Sequence, residues 1–221
     1  MLIVFDVDGT LIGGEESDWR SFDDAVNEVT GIAVTDLFWQ NIQEVTAQAI
    51  IHQLLPPALT PNRDAIESAV RAGYLQRLRA AHARNPTVFH TVTGAIELFE
   101  ELRCRSDTKI AIATGDWRET STFKLAAAGL DVTGIPKATS SDCYARADIV
   151  RLAVQRSNRT LADAIYVGDG LWDWRTTQQL GIPFIGVGHR RDRLHTAGAR
   201  HVLPDLEPTA FFRKLIALCA A

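Results

Sequence analysis

Short apolar runs, each ending in small or acidic residues, alternate along this chain with stretches of helical periodicity. The runs cover residues 2–5, 109–113, 135–139, 164–167 and 183–187, with 201–203 as a candidate sixth. They are continuous rather than alternating polar with apolar. Each therefore reads as a strand covered on both faces, as in a parallel sheet. Helical patterns occupy residues 94–103, 118–128, 146–157, 173–180, 190–197 and 208–220. Strands and helices in turn predict an α/β fold, a doubly wound parallel sheet with Rossmann-like layering.

One stretch breaks the rhythm. Between residues 13 and 86 there is no strand signal, only helical patterning. Ser17 can cap a helix that turns Phe22, Val26 and Val29 to one side and stops at Gly31. Thr35 can open a second, with Phe38, Ile42, Val45 and Ala49 inward, ended by Pro56 and Pro57. Thr60, with Pro61 at the first helical position, opens a third carrying Ile66, Val70, Tyr74 and Leu78. A structureless loop of that length would be out of place in a compact protein, but a small helical domain would not. The expected division is an α/β core of residues 1–13 and 87–221, with an inserted all-helical cap of residues 14–86. Ile12-Gly13-Gly14 and Asn85-Pro86-Thr87 serve as hinges.

The 221 residues, 46% of them hydrophobic, are enough for one large domain carrying a smaller insert. A net charge of -4 and a pI near 5.9 give no footprint for nucleic acid or an anionic membrane. Cys104, Cys143 and Cys219 are far apart and odd in number, which argues against a disulfide framework or a zinc site. The start of the chain has neither a basic lead nor a long apolar stretch, so a cytoplasmic protein without signal peptide or anchor is expected.

In open parallel sheets, ligands bind beyond the carboxyl ends of the strands. The first strand is followed by Asp6-Val7-Asp8-Gly9-Thr10, the second by Thr114-Gly115-Asp116, and the fourth by Gly168-Asp169-Gly170-Leu171-Trp172-Asp173. Asp6, Asp8, Asp169 and Asp173 should thus converge on one sheet edge. Such crowding requires a cation or protonation. Carboxylate oxygens without His or Cys favour magnesium.

These segments carry a resemblance. IVFDVDGTL at 3–11, Thr114 closing IAIAT, and YVGDGLWD at 166–173 resemble the first, second and fourth motifs of the haloacid dehalogenase-like superfamily, in order and at fitting spacing. The resemblance implies a phosphatase acting on a small phosphorylated metabolite. Asp6 would be the nucleophile that becomes an aspartyl phosphate, and Asp8 the acid and base. Magnesium would be held by Asp6, the Asp8 carbonyl and Asp169, with Asp173 in support. Thr114 and the Gly115 amide would hold a phosphoryl oxygen. Gly9 would let the backbone turn sharply at the phosphate, and Thr10 would bond within that turn.

The third motif departs from the family pattern, which usually supplies a lysine. With Asp148-Ile149 aligned, Tyr144 falls at the lysine position, and a neutral phenol cannot balance this much negative charge. Arg146, at a helix start beyond the third strand, is expected to bridge nucleophile and phosphate instead, with Lys137 as its rival. The lysines are Lys109, Lys124, Lys137 and Lys214. None lies in the insert, so cleavage of a carbon–phosphorus bond through a Schiff base there is not expected. A sugar-phosphate mutase on the same scaffold is the rival function, and a non-catalytic binding protein a more distant one. Dehalogenation is disfavoured because a departing halide has no use for the Asp8 acid. The tryptophans read as packing, the histidines as structural or exposed, and His189 to Arg193 as a solvated helix start.

Overall fold

The computed structural model describes residues 1–189 and 191–219. Strand β1 (Leu2–Phe5) is followed by two short strands, β2 (Ile12–Gly13) and β3 (His90–Thr91). These bracket a helical stretch. Beyond them lie β4 (Lys109–Ala113), β5 (Lys137–Ala138), β6 (Ala164–Gly168), β7 (Phe184–Val187) and β8 (Val202–Leu203). Six strands form one parallel sheet in the order β5-β4-β1-β6-β7-β8. β1 lies between β4 and β6, with Leu2 opposite both Lys109 and Ala164. The chain builds outward on one side of β1 and then crosses to the other, which opens a crevice at the carboxyl ends of β1, β4 and β6.

The stretch between β2 and β3 holds α1 (Glu15–Thr30), α2 (Asp36–Asn41), α3 (Ala47–Leu54) and α4 (Arg63–Arg84). α1 packs along α4, and α4 also lies on α6 (Arg118–Ala127) of the core. Phe22 stands edge-on to Tyr74, with ring centres 5.5 Å apart. Antiparallel pairing of Ile12 with Thr91 and Gly13 with His90 ties the two ends of this helical insert together.

The other helices cover both sheet faces. Ile3 and Phe5 pack with Ile110, Ile112 and Val167 beneath α5 (Ala95–Arg103) and α10 (Pro208–Cys219), which supply Leu98, Phe99 and Phe211. Leu2, Val4, Ala111 and Tyr166 face α7 (Arg146–Arg156) and α9 (Arg191–Thr196), which supply Ile149, Val150 and Leu194. α8 (Leu171–Leu180) completes the set. Burial on both faces explains the absence of polar alternation, each large side chain contributing about 1.5–3 kcal/mol.

The doubly wound sheet is as expected, and 201–203 does supply a strand. Four details differ. The expected strand at 135–139 shrinks to an edge pair of residues. The first insert helix begins at Glu15 behind Gly14, so Ser17 lies within its first turn instead of capping it. The second ends at Asn41 and restarts at Ala47, with Thr46 accepting the Ala49 amide as a new cap. The paired β2 and β3 were not foreseen, because two-residue strands leave no periodic signal. Arg190 and Ala220, placed in helices from the sequence, lie outside the described residues. Among the described residues no helix is long and apolar enough to cross a membrane.

Candidate active site

Asp6 follows β1 directly, its amide donating to the Val167 carbonyl at 2.9 Å. The chain then turns on itself. The Leu11 and Ile12 amides donate to the Val7 carbonyl at 2.8 and 3.0 Å, and the Gly9 amide donates to Ile12 at 2.8 Å. Gly9 has φ 77, and a Cβ there would run into the Asp169 carboxylate, so glycine is required twice over. Thr10 differs from expectation. Its hydroxyl is buried without a hydrogen-bond partner, backbone bonds hold the turn, and the side chain stays out of the chamber lining.

Asp6, Asp169 and Asp173 form a buried cluster in which one carboxylate oxygen of each lies within 4.8 Å of the others. Asp6 Oδ1 is buried with no hydrogen bond. Burial, followed by repulsion from Asp173, pushes the Asp6 carboxyl well above the usual carboxylate range, and Arg146 opposes this. A buried carboxylate oxygen that accepts no hydrogen bond, beside two more carboxylates, is the donor set a hard divalent cation fits. Asp173 has further duties. Its Oδ2 accepts the Gly170 amide at 3.0 Å, capping α8, and its Oδ1 accepts from Arg146 at 2.7 Å and from the Tyr166 hydroxyl at 3.2 Å.

Arg146 begins α7 and is buried. Its Nη1 lies 3.5 Å from Asp6 Oδ1, while its Nε and Nη2 donate to the Val45 carbonyl at 3.3 and 3.0 Å. Lys137 is elsewhere: its ammonium reaches Thr122 at 3.5 Å, and its carbonyl accepts from Arg156. Gly115 presses so closely on Arg146 and the Val45 carbonyl that a Cβ would collide with both. Thr114 is buried at the end of β4, its hydroxyl accepting the Asp116 amide at 3.2 Å.

Asp8 turns away from the Asp6 cluster. Its Oδ1 lies 2.7 Å from the ammonium of Lys124, which also contacts Asp18 at 2.7 Å and Asp116 at 3.0 Å. The Tyr74 hydroxyl bonds to Asp18 and takes a 3.2 Å hydrogen bond from Lys124. Lys124 is only 1% exposed. Burial pulls its pKa down, but Asp116, Asp18 and Asp8 outweigh that and hold the ammonium well above its ordinary value. Burial lifts Asp8 to about 7, against the opposing pull of Lys124. The sequence reading missed Lys124, Asp18 and Tyr74 as site residues. Their signal was faint: Lys124 shares a helix face with the small polar residues Thr120 and Ser121, and its partners Asp18 and Tyr74 lie 50 or more residues away.

The helical insert closes over these groups. The Ala47 amide donates to Gly115 at 2.7 Å, the Gln48 amide to Ser140 Oγ at 2.9 Å, and the Thr46 hydroxyl to Tyr144 at 2.8 Å. They enclose an inner chamber of about 70 Å³ against Asp6, Asp8, Thr114 and Arg146. Trp19 and Trp172 line it and also line an adjoining outer cleft of about 890 Å³. Trp117 is packing: it is buried against Phe22 and Tyr74. His189 and Arg193, from the supposed solvated helix start, also line the outer cleft.

The model of the haloacid dehalogenase-like hydrolase family matches residues 3–187. With the fold and the acidic crevice as described, the chain belongs to that family. Its structure is similar to a hydrolase from Pseudomonas syringae (20% identity over 98% of this chain and 99% of that one, TM-score 0.75). It is also similar to CbbY from Rhodobacter sphaeroides in complex with phosphate (20% identity, 94% and 95% covered, TM-score 0.66). A third similar structure is the beta-phosphoglucomutase of Clostridium difficile (12% identity, 100% and 99% covered, TM-score 0.74). No curated protein matches the sequence significantly.

Proposed function

We propose that the protein is a magnesium-dependent phosphatase that hydrolyses a small phosphate monoester through an aspartyl phosphate on Asp6. The observation that carries this reading is the buried Asp6 Oδ1, which accepts no hydrogen bond and sits between the Asp169–Asp173 carboxylates and the Arg146 guanidinium. Asp6 attacks phosphorus, the ester P–O bond breaks, and the alcohol leaves with the proton of Asp8. Asp8, now a carboxylate, takes a proton from water. The water oxygen attacks phosphorus and the Asp6–phosphorus bond breaks, restoring Asp6 and releasing phosphate. A carboxyl held at about 7 suits both halves of that cycle at neutral pH. Arg146 orients the Asp6 carboxylate and offers charge to the phosphoryl oxygens, and Thr114 with the Gly115 amide holds another of them. Asp6, the Asp8 carbonyl and Asp169 would hold magnesium, with Asp173 in support. Bound there, the ion would neutralise charge on the phosphoryl group.

In this reading residues 14–86 are a cap that moves on the β2–β3 pair against a core of residues 1–13 and 87–221. Phosphate release from a panel of phosphorylated metabolites, with magnesium and then with chelator, tests the proposal. Release that stops on chelation and returns with magnesium is expected. Release indifferent to exhaustive chelation would refute the metal's role. Isomerised sugar phosphate in place of free phosphate would mark a mutase.

A further inference from the structure

From the charge and shape of the chamber we infer that the substrate carries a single phosphate, on an alcohol with no second anionic group and with an apolar face that lies along Trp19 and Trp172. This rests on the phosphatase reading and narrows its substrate class. The inner chamber of about 70 Å³ is small beside the outer cleft of about 890 Å³. It therefore takes the phosphoryl group, and the rest of the ester must leave past the residues shared with the outer cleft: Trp19, Val45, Arg146, Asp169 and Trp172.

The charge along that route disfavours a second phosphate. Beyond the metal cluster, the chamber lining adds Asp8, Glu15, Asp18 and Asp116, and Arg146 is the one basic side chain in it among the described residues. Arg146 is already engaged by Asp6 and Asp173. Lys124, behind the lining, is shared among three carboxylates. Glu15 pairs with His189, at 3.9 Å. In the outer cleft Arg175 and Arg193 are offset by Asp23, Glu44 and Asp192. Among the described residues no surplus positive charge faces the leaving group, and like charges brought together in a partly desolvated site are strongly disfavoured. The aromatic rings supply the attraction instead: Trp19 stands edge-on to Trp39 at 4.8 Å, and both line the exit.

The same charges weigh against a mutase. A mutase that moves a phosphoryl group between two oxygens of one sugar phosphate must hold a bisphosphate midway, with its second phosphate beyond the chamber, where Asp23, Glu44 and Asp192 offset Arg175 and Arg193.

The test is kcat/KM for phosphate release, with magnesium, from matched esters. Fructose 6-phosphate is set against fructose 1,6-bisphosphate, and 2-phenylethyl phosphate against glycerol 1-phosphate. The bisphosphate should be poorer by about tenfold or more, and the phenylethyl ester better than the glycerol ester. Glu15→Lys should raise kcat/KM for the bisphosphate relative to its monophosphate by several-fold. A bisphosphate used as well as its monophosphate, a glycerol ester preferred over the aromatic one, or a ratio unmoved by Glu15→Lys would overturn the inference while the phosphatase reading stands. Absence of phosphate release from every ester would overturn both.

Discussion

Tyr144 falls where the family's lysine would stand, and Arg146, two residues on, reaches both Asp6 and Asp173 from the first residue of α7. Its fork serves two carboxylates and the Val45 carbonyl together, which a lysine's single point charge could not do in that geometry. Arg146→Ala is expected to lower kcat by about a hundredfold or more, as when a charge-stabilising donor is removed, while Lys137→Ala leaves it within about twofold. Steady-state kinetics on the two variants decides between them. Asp8 makes a different prediction, because its folded pKa of about 7 lies above the ordinary 3.8. A carboxyl raised in this way binds its proton more tightly folded than unfolded. Its contribution is fully present below about 4 and is lost as pH rises toward 7. Asp6, Asp116 and Asp173 are raised too and act with the same sign. Denaturant unfolding of the metal-free protein should show stability falling across that window, and Asp8→Asn should flatten part of the slope. A slope unaffected by Asp8→Asn would contradict the buried-carboxyl account.

The elements show where sequence reasoning succeeded and where it stopped. Continuous apolar runs between helices disclosed the sheet, because burial on both faces erases alternation. The carboxylates were legible because a parallel sheet presents the residues just past its strand ends to the ligand crevice, so Asp6, Thr114 and Asp169 needed only the chain order. The second insert helix failed for a physical reason. Phe38, Ile42, Val45 and Ala49 keep a helical period, but residues 42–46 cross the site, and the Val45 carbonyl must accept from Arg146 instead of from its own helix. A tertiary partner overrode local periodicity. The Lys124–Asp8–Asp18–Asp116 group was illegible because Asp8 and Asp18 lie more than 100 residues from Lys124, and its buried lysine looks like any helical lysine in the sequence. Thr46 restarts the helix and also bonds to Tyr144 across to the core. Thr46→Ala should therefore destabilise the protein by about 1–2 kcal/mol, the upper part of the range for a lost cap. A shift in the urea midpoint without a change in slope would show it, and no shift would mean the cap is idle.

At the scale of the whole molecule, a helical insert with its ends tied by the paired β2 and β3 lies over the carboxyl edge of the sheet. It places Asp18 and Tyr74 on the lysine that holds Asp8. The contacts at 44–48 couple the insert to the loops that carry Thr114, Gly115 and Arg146. The inner chamber shares Trp19, Val45, Arg146, Asp169 and Trp172 with the outer cleft, which is the way in for a substrate. The central claim is that Asp6 becomes covalently phosphorylated in each turnover. The most direct measurement is rapid-quench intact-mass analysis of the protein mixed with a phosphate monoester and magnesium, followed by peptide mapping. A single added phosphoryl group on Asp6, absent from Asp6→Asn together with turnover, is the expected result. Full turnover by Asp6→Asn, or phosphate release with no phosphoprotein ever forming, would contradict it.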